Sequence, residues 1–472
     1  MNFNKAHITR WLFDVRVWIL VLFLIRLENI DLPPLDEHAW RQTITLGVAR
    51  NYEEVSPAFF EPRTVICDSR QGIIAQEFPF FNYCITILWK IFGTYDWVFR
   101  VFNLLVASFG LYFFSSLAKR FIGTPGNVFA TIIFGVSVAF MYARKAMPDV
   151  FAVSLVIIGV EFGWRYMQSG KSKELALFLL FSGLGMLSKM PATLTMALLL
   201  PLVFRKDTLP RTKTLLITAA GIAAAAMVTW YFVWVPWAEK TKGFPLFYPT
   251  SFSDGWKQLV EMKNDTISRF YPIALTSRVS FLFFLAGLVW MFRTKHKTLI
   301  WTFTASTVLL VLYMLKSGGT FAGHVYYIMP FVPMMSLLAG YGISELVKNQ
   351  WLQLACIALI TVEANVEHKA DFFIPWQEEK FLKLERIVDQ HIPKDARILV
   401  NNREGSPIMM YFAHRRGWTV TDRMKDSSWV AGESTVGLHY MVIERSRWKG
   451  DSLPWPQLYQ DNEFQIYKTK KD

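Results

Sequence analysis

Two adjacent carboxylates, Asp36 and Glu37, stand in the run Pro33-Pro34-Leu35-Asp36-Glu37-His38-Ala39-Trp40-Arg41-Gln42, just past the first hydrophobic segment. A carboxylate within reach of a hydroxyl can take its proton, and a second one can orient the first. At a membrane surface such a pair suits chemistry on a lipid-borne substrate. A solvated acidic pair, or a helix N-cap followed by Glu in the first turn, accounts for the same residues. Asp149, in Met147-Pro148-Asp149, is the second acidic candidate, and capping at the start of a span explains it equally well. Arg144 and Lys145 lie just before it, and such a basic pair suits a phosphate. Lys189, in the tight turn Ser188-Lys189-Met190-Pro191, reads either as a phosphate contact or as a snorkelling side chain. His324 opens the run Gly323-His324-Val325-Tyr326-Tyr327, where aromatic residues are the usual interfacial belt.

These residues need a scaffold, and the composition names its class. The 472-residue chain is 53% hydrophobic and 16% aromatic, too apolar for one soluble domain. Its formal charge of +13 is dispersed beside hydrophobic ends, which reads as membrane orientation and not as nucleic-acid binding. The three cysteines, Cys67, Cys84 and Cys356, have no metal-ligand spacing and imply no disulfide framework, though Cys67 and Cys84 share one outer segment.

A crossing helix needs ~20 apolar residues. Candidate segments are 11–29, 97–118, 126–143, 150–167, 173–188, 190–204, 214–236, 276–292, 298–315, 325–345 and 350–366, about eleven spans by that criterion. The first has Lys5, Arg10 and Arg16 ahead of it and no small-residue cleavage site behind it, so it reads as an uncleaved signal anchor. With the N-terminus in the cytoplasm, the even-numbered connections fall inside. They carry Lys119 and Arg120; Arg165, Lys171 and Lys173; Arg205, Lys206, Arg211 and Lys213; Arg293, Lys295 and Lys297; and Lys348. All are basic, as the positive-inside rule requires. The run Phe78 to Phe92 would invert that alternation if it crossed, so it is expected to lie in the interface. Residues 37–54 are expected to form a surface helix with Trp40, Ile44, Val48 and Tyr52 along one stripe and Glu37 facing Arg41 at i,i+4.

After about residue 370 the long apolar runs vanish. A helix over Phe381–Gln390 and strands at Ala396–Val400, Tyr440–Ile443 and Phe464–Tyr467 predict a small α/β domain. The expected division is a transmembrane domain over 1–369, with an outer loop 30–96 carrying surface helices, and an extracytoplasmic α/β domain over 370–472.

The topology sends Asp36, Glu37, Arg41, Asp149, Lys189 and His324 to one membrane face. Carboxylates with cations suit a site that deprotonates a nucleophile and stabilises an anionic leaving group. The run Leu35-Asp36-Glu37-His38-Ala39-Trp40-Arg41-Gln42-Thr43, then Ala49-Arg50-Asn51 and Glu77-Phe78-Pro79, resembles the opening of bacterial membrane glycosyltransferases of the GT-C fold. Asp96-Trp97-Val98-Phe99-Arg100-Val101, Met147-Pro148-Asp149 and His324-Val325-Tyr326-Tyr327 resemble later landmarks of the protein O-mannosyltransferase-like and aminoarabinose transferase-like families. The resemblance covers roughly residues 10–345.

The resemblance implies a sugar donor linked to polyprenyl phosphate and an extracytoplasmic glycan, lipid or protein acceptor, in a bacterial inner membrane. It implies Asp36 as general base, with Glu37 and Asp149 orienting the site. It leaves open a divalent cation, with Asp36 and Asp149 as its ligands. Glu77 enters through the Glu77-Phe78-Pro79 match. Sidedness adds Arg41, Arg144, Lys145, Lys189, His324 and Tyr327 as donor contacts. Two rival readings are a lipid-linked sugar flippase, which would place charges near the midplane and show repeats, and an O-antigen ligase-type transferase, which would centre on a large late outer loop.

Overall fold

The computed structural model describes residues 11–68, 70–74, 77–204, 209–244, 249–401, 405–420, 422–448 and 453–469. Lys5, Arg10, Arg205 and Lys206 lie outside these. The chain divides into two units: residues 1–30, 99–233 and 248–372, and residues 31–98, 234–247 and 373–472. This is not the division drawn at residue 370. The first outer loop belongs with the C-terminal residues, because Leu35, Val65 and Ile66 share one apolar core with Phe381, Leu384, Ile398 and Val442.

The first unit is helical. Each of the expected apolar segments lies on helix, but among the described residues five helices are long and apolar enough to cross a membrane by themselves: Asp96–Ile122, Pro148–Ser169, Pro210–Lys242, Lys297–Ser317 and Val325–Leu346. A sixth arises if Lys263–Ile273 and Arg278–Arg293, bent by 94°, form one span. Val15–Ile25, Gly126–Val136 and Met190–Val203 are shorter apolar helices. Local chemistry explains the breaks. Ser137 takes an extended backbone (ψ 174°) and stops Gly126–Val136 before Val138–Tyr142 begins. The Val136 carbonyl freed there accepts from Thr276 Oγ1 at 2.6 Å, which spares an unsatisfied polar group in apolar surroundings.

Small residues let two of these helices cross closely. A Cβ on Gly287 would stand 2.0 Å from the Leu338 carbonyl oxygen, and one on Gly342 would stand 2.3 Å from that of Phe283. Only glycine lets the two backbones meet there. Charge is also buried among these helices. Glu161 is fully buried and accepts from Arg120 Nη2 at 2.8 Å, Arg165 Nε at 2.9 Å and Ser116 Oγ at 2.8 Å. A buried carboxylate is tolerable when its oxygens are answered in this way.

The second unit is built on a five-stranded sheet in the order Arg416–Trp418, Arg397–Val400, Leu438–Glu444, Phe464–Lys468, Gln457–Gln460. The first three strands pair in parallel, and Phe464–Lys468 pairs antiparallel with both of its neighbours, Leu438–Glu444 and Gln457–Gln460. Alternation divides their side chains between two faces. Ile398, Val400 and Val442 join one core with the helix Leu384–His391. Leu399, Met441 and Ile443 join another with Trp418 and Val430. Ala39–Glu54 and Phe80–Phe92 are the helices of the outer segment; the first, expected on the surface, is instead largely buried, continuously from Arg41 to Ala49. Phe80–Phe92 has 13 residues, too few to cross, and exposes Ile87, Ile91 and Phe92. Cys67, Cys84 and Cys356 are free thiols.

Candidate active site

The candidate residues divide between the units. Asp36, Glu37, Arg41 and Glu77 lie in the second, and Arg144, Lys145, Asp149, Lys189, His324 and Tyr327 in the first.

Pro33 and Pro34 precede the helix Ala39–Glu54, and His38 is its N-cap in a left-handed conformation (φ 62°, ψ 35°). Such a φ is uncommon for a side chain other than glycine and is tolerated best by residues such as His, Asn and Asp. Asp36 is therefore not the cap. Its carboxylate is 2% exposed and accepts from Gln42 Nε2 at 2.7 Å; the same amide donates to the Glu37 carbonyl at 3.2 Å. Gln42, unremarked in the sequence, helps to fix the carboxylate.

Glu37 precedes the helix, so the expected i,i+4 face with Arg41 is not formed. Glu37 lies 3.6 Å from His38 Nε2, and Arg41, 4% exposed, pairs with Glu77. The apolar stripe is partly as expected: Ile44, Val48 and Tyr52 are buried, while Trp40 is exposed and donates to the Gly405 carbonyl at 2.9 Å. The space beside the Arg41–Glu77 pair is about 20 Å³. That holds roughly one water and no sugar.

In the first unit Pro148 opens the helix Pro148–Ser169, and Asp149 sits in its first turn, where the helix dipole favours an anion. Lys189 ends the helix Ser172–Ser188, where the dipole favours a cation. The two meet with Lys189 Nζ 3.4 Å from Asp149 Oδ1, both side chains largely buried. Lys189 is thus an ion-paired group and does not snorkel. Its Nζ also lies 5.9 Å from the centre of the Tyr326 ring. His324 packs on Tyr326 and Tyr327 (5.4 and 5.6 Å between ring centres), and its Nδ1 is 3.0 Å from the Thr320 carbonyl. Tyr327 stacks on Tyr313 at 5.8 Å, nearly parallel. Asp149, Lys189, Tyr326, Tyr327 and His324 therefore form one polar–aromatic cluster. Tyr313, stacked on Tyr327, is the neighbour of this cluster that no sequence motif singled out.

Arg144 and Lys145 are placed otherwise. Both are fully buried. Arg144 Nη2 donates to the Asn29 carbonyl at 2.7 Å, and its guanidinium lies 4.1 Å from the Phe372 ring centre. Lys145 Nζ is 4.0 Å from Asp371. These contacts tie neighbouring segments of this unit together.

Among the described residues no group of three or more His, Cys, Asp or Glu gathers in a way that could hold a metal ion.

A family model described as dolichyl-phosphate-mannose-protein mannosyltransferase matches residues 76–234. A comparison with curated proteins finds no match. Among solved structures, ArnT from Cupriavidus metallidurans bound to undecaprenyl phosphate is similar at a TM-score of 0.63 and 11% identity, over 97% of this chain and 98% of that one. Its apo form gives 0.62 and 10%, with the same coverage. The Archaeoglobus fulgidus oligosaccharyltransferase in complex with Zn and sulfate gives 0.52 and 10%, over 90% of this chain and 68% of that one. The chain is a multi-pass membrane protein with the GT-C glycosyltransferase fold.

Proposed function

We propose that this GT-C membrane protein transfers a sugar from a polyprenyl-phosphate-linked donor to a hydroxyl of an extracytoplasmic acceptor. The observation that carries this reading is the fold shared over nearly its whole length with a protein solved with undecaprenyl phosphate bound. The Asp36 carboxylate, buried and aimed by Gln42, is assigned as general base. The acceptor hydroxyl attacks the anomeric carbon, its proton passes to Asp36, and the bond from that carbon to the phosphate oxygen breaks. Polyprenyl phosphate leaves with the bonding electrons. Lys189 and His324 are assigned to the departing phosphate, where a cation or ring N–H stabilises the growing charge. Arg41 and Glu77 hold the segment that carries Asp36. An eleven-span, N-inside arrangement with the α/β unit outside in a bacterial inner membrane goes with this reading.

The test is transfer by the purified full chain from a polyprenyl monophosphate sugar to cell-envelope extract, followed by mass spectrometry of the product. No transfer from any such donor, with folded protein, rejects the reading. A flippase would move the labelled lipid across vesicles without making product. A cytoplasm-only reporter fused after residue 472 should be silent, and a strong signal would reject the topology.

A further inference from the structure

A cavity of about 460 Å³ lies wholly within the second unit and is separate from the Asp36 turn. Its volume is that of a small-molecule site. Arg50, Lys394, Arg397, Arg415 and Arg416 line it. Arg415 is already used: it donates to the Pro393 and Ile392 carbonyls at 2.9 and 2.7 Å and to Asp389 at 2.9 Å. Arg50 lies on the Tyr411 ring at 4.1 Å and gives one N–H to the Tyr411 carbonyl at 2.9 Å.

Arg397 and Arg416 are different. They are register partners on neighbouring parallel strands, about 4.8 Å apart by strand spacing, and both are half-buried. Like charges set opposite one another across a sheet destabilise it. The contact made by Arg397 Nη1 is a backbone carbonyl, that of Asp68, at 3.2 Å, which does not neutralise it. Glu54 feels the Arg416 charge, but among the described residues it forms no ion pair with Arg416; Glu54 and Glu385 instead hold His414, at 2.8 and 2.9 Å from its two ring nitrogens. Two adjacent guanidinium groups can grip a phosphate or carboxylate through paired hydrogen bonds. Glu54 and Asp395, in the same cavity, are acceptors suited to hydroxyl groups. A bare anion would use the cations alone; a sugar that carries an acidic group would use both.

We propose that this cavity is an acceptor-side subsite that binds the phosphate or carboxylate group of an anionic saccharide between Arg397 and Arg416. The acceptor assignment rests on the transferase reading; the binding itself does not. The test is calorimetry on the full chain in nanodiscs, with glucose 6-phosphate, glucuronate, glucose and inorganic phosphate as probes. One or both charged sugars should bind and glucose should not. Arg416→Gln should weaken binding at least about tenfold, as expected for one charge-assisted contact, and Arg416→Lys should restore part of it. Arg423→Gln, outside the cavity, should bind as wild type. If Arg416→Gln fails to fold, Lys394→Gln, whose side chain is largely exposed, replaces it. Two comparisons separate the possible anions: preference for glucose 6-phosphate or for glucuronate identifies the acidic group. The proposal falls if no charged sugar binds, if inorganic phosphate binds as tightly as the sugars, or if the variants bind unchanged. Sugar binding by a wild-type protein that makes no transfer product would reject the transferase reading and keep the cavity as an anionic-sugar site.

Discussion

Asp36 and Asp149 are both buried carboxylates, yet opposite kinds of donor hold them. Asp36 accepts from the neutral amide of Gln42 at 2.7 Å. Asp149 faces the Lys189 ammonium at 3.4 Å. A neutral donor fixes the direction of a carboxylate and leaves its charge; a cation answers the charge directly. Under the proposed function, Asp36 takes the proton and Asp149 steadies a cation.

The sharpest way to break the comparison is Asp36→Asn. The amide keeps the shape but cannot take a proton, and turnover should fall by ~10²–10⁴, read by single-turnover transfer. Near-normal turnover would put the base elsewhere.

Next is Arg41→Ala, which leaves Glu77 buried without its cation. It should destabilise the second unit by about 3 kcal/mol, read by thermal unfolding in nanodiscs. Arg41→Met with Glu77→Leu should recover much of that loss. Full stability in Arg41→Ala, with weakened donor binding, would return Arg41 to the substrate.

For the other carboxylate, Lys189→Ala should lower kcat/KM for the donor by ~10- to 100-fold, the effect of losing one charged contact. Asp149→Asn combined with it should cost less than the two single effects summed, because the residues act as a pair. Additive losses would mean that they work independently.

Gln42→Leu should reduce kcat about tenfold through lost orientation of Asp36 and leave donor KM unchanged. An effect confined to KM would contradict its positioning role.

The smallest effect expected is a pH effect at Glu54. Burial raises its carboxyl, but His414, Arg50 and Arg416 outweigh this and hold it below the ordinary range. A depressed carboxylate stabilises the fold above its unfolded value and loses that contribution as the pH falls through the folded one. Glu54→Gln should therefore narrow the gap in unfolding temperature between pH 7 and pH 4. An unchanged gap would show that Glu54 does not couple to folding.

Much of the fold was legible in the sequence, because its signals are local. Apolar length marked the helices, the basic loops gave an alternation, and the strands at 397–400, 438–444 and 464–468 lay on the expected runs. The strands Arg416–Trp418 and Gln457–Gln460 escaped notice: the first is three residues long and the second half polar, so neither carries a clear period-two pattern. The breaks in the apolar helices escaped as well. At Ser137 a hydroxyl and a distant Thr276 replace the lost helical bonds, and composition does not register such a substitution.

The sequence by itself determined which residues could do chemistry, since residue type and a short motif placed Asp36, Glu37 and Asp149 at segment ends. Only the tertiary structure decided what those residues touch. Gln42 turns to Asp36 because His38 adopts a left-handed turn; Arg41 reaches Glu77, 36 residues on; Lys189 finds Asp149 across two helix ends; and Arg144 is taken up by Asn29 and Phe372. Hydrogen bonds and ion pairs form at about 3 to 4 Å, and at that range position in space, which packing sets, outweighs position along the chain.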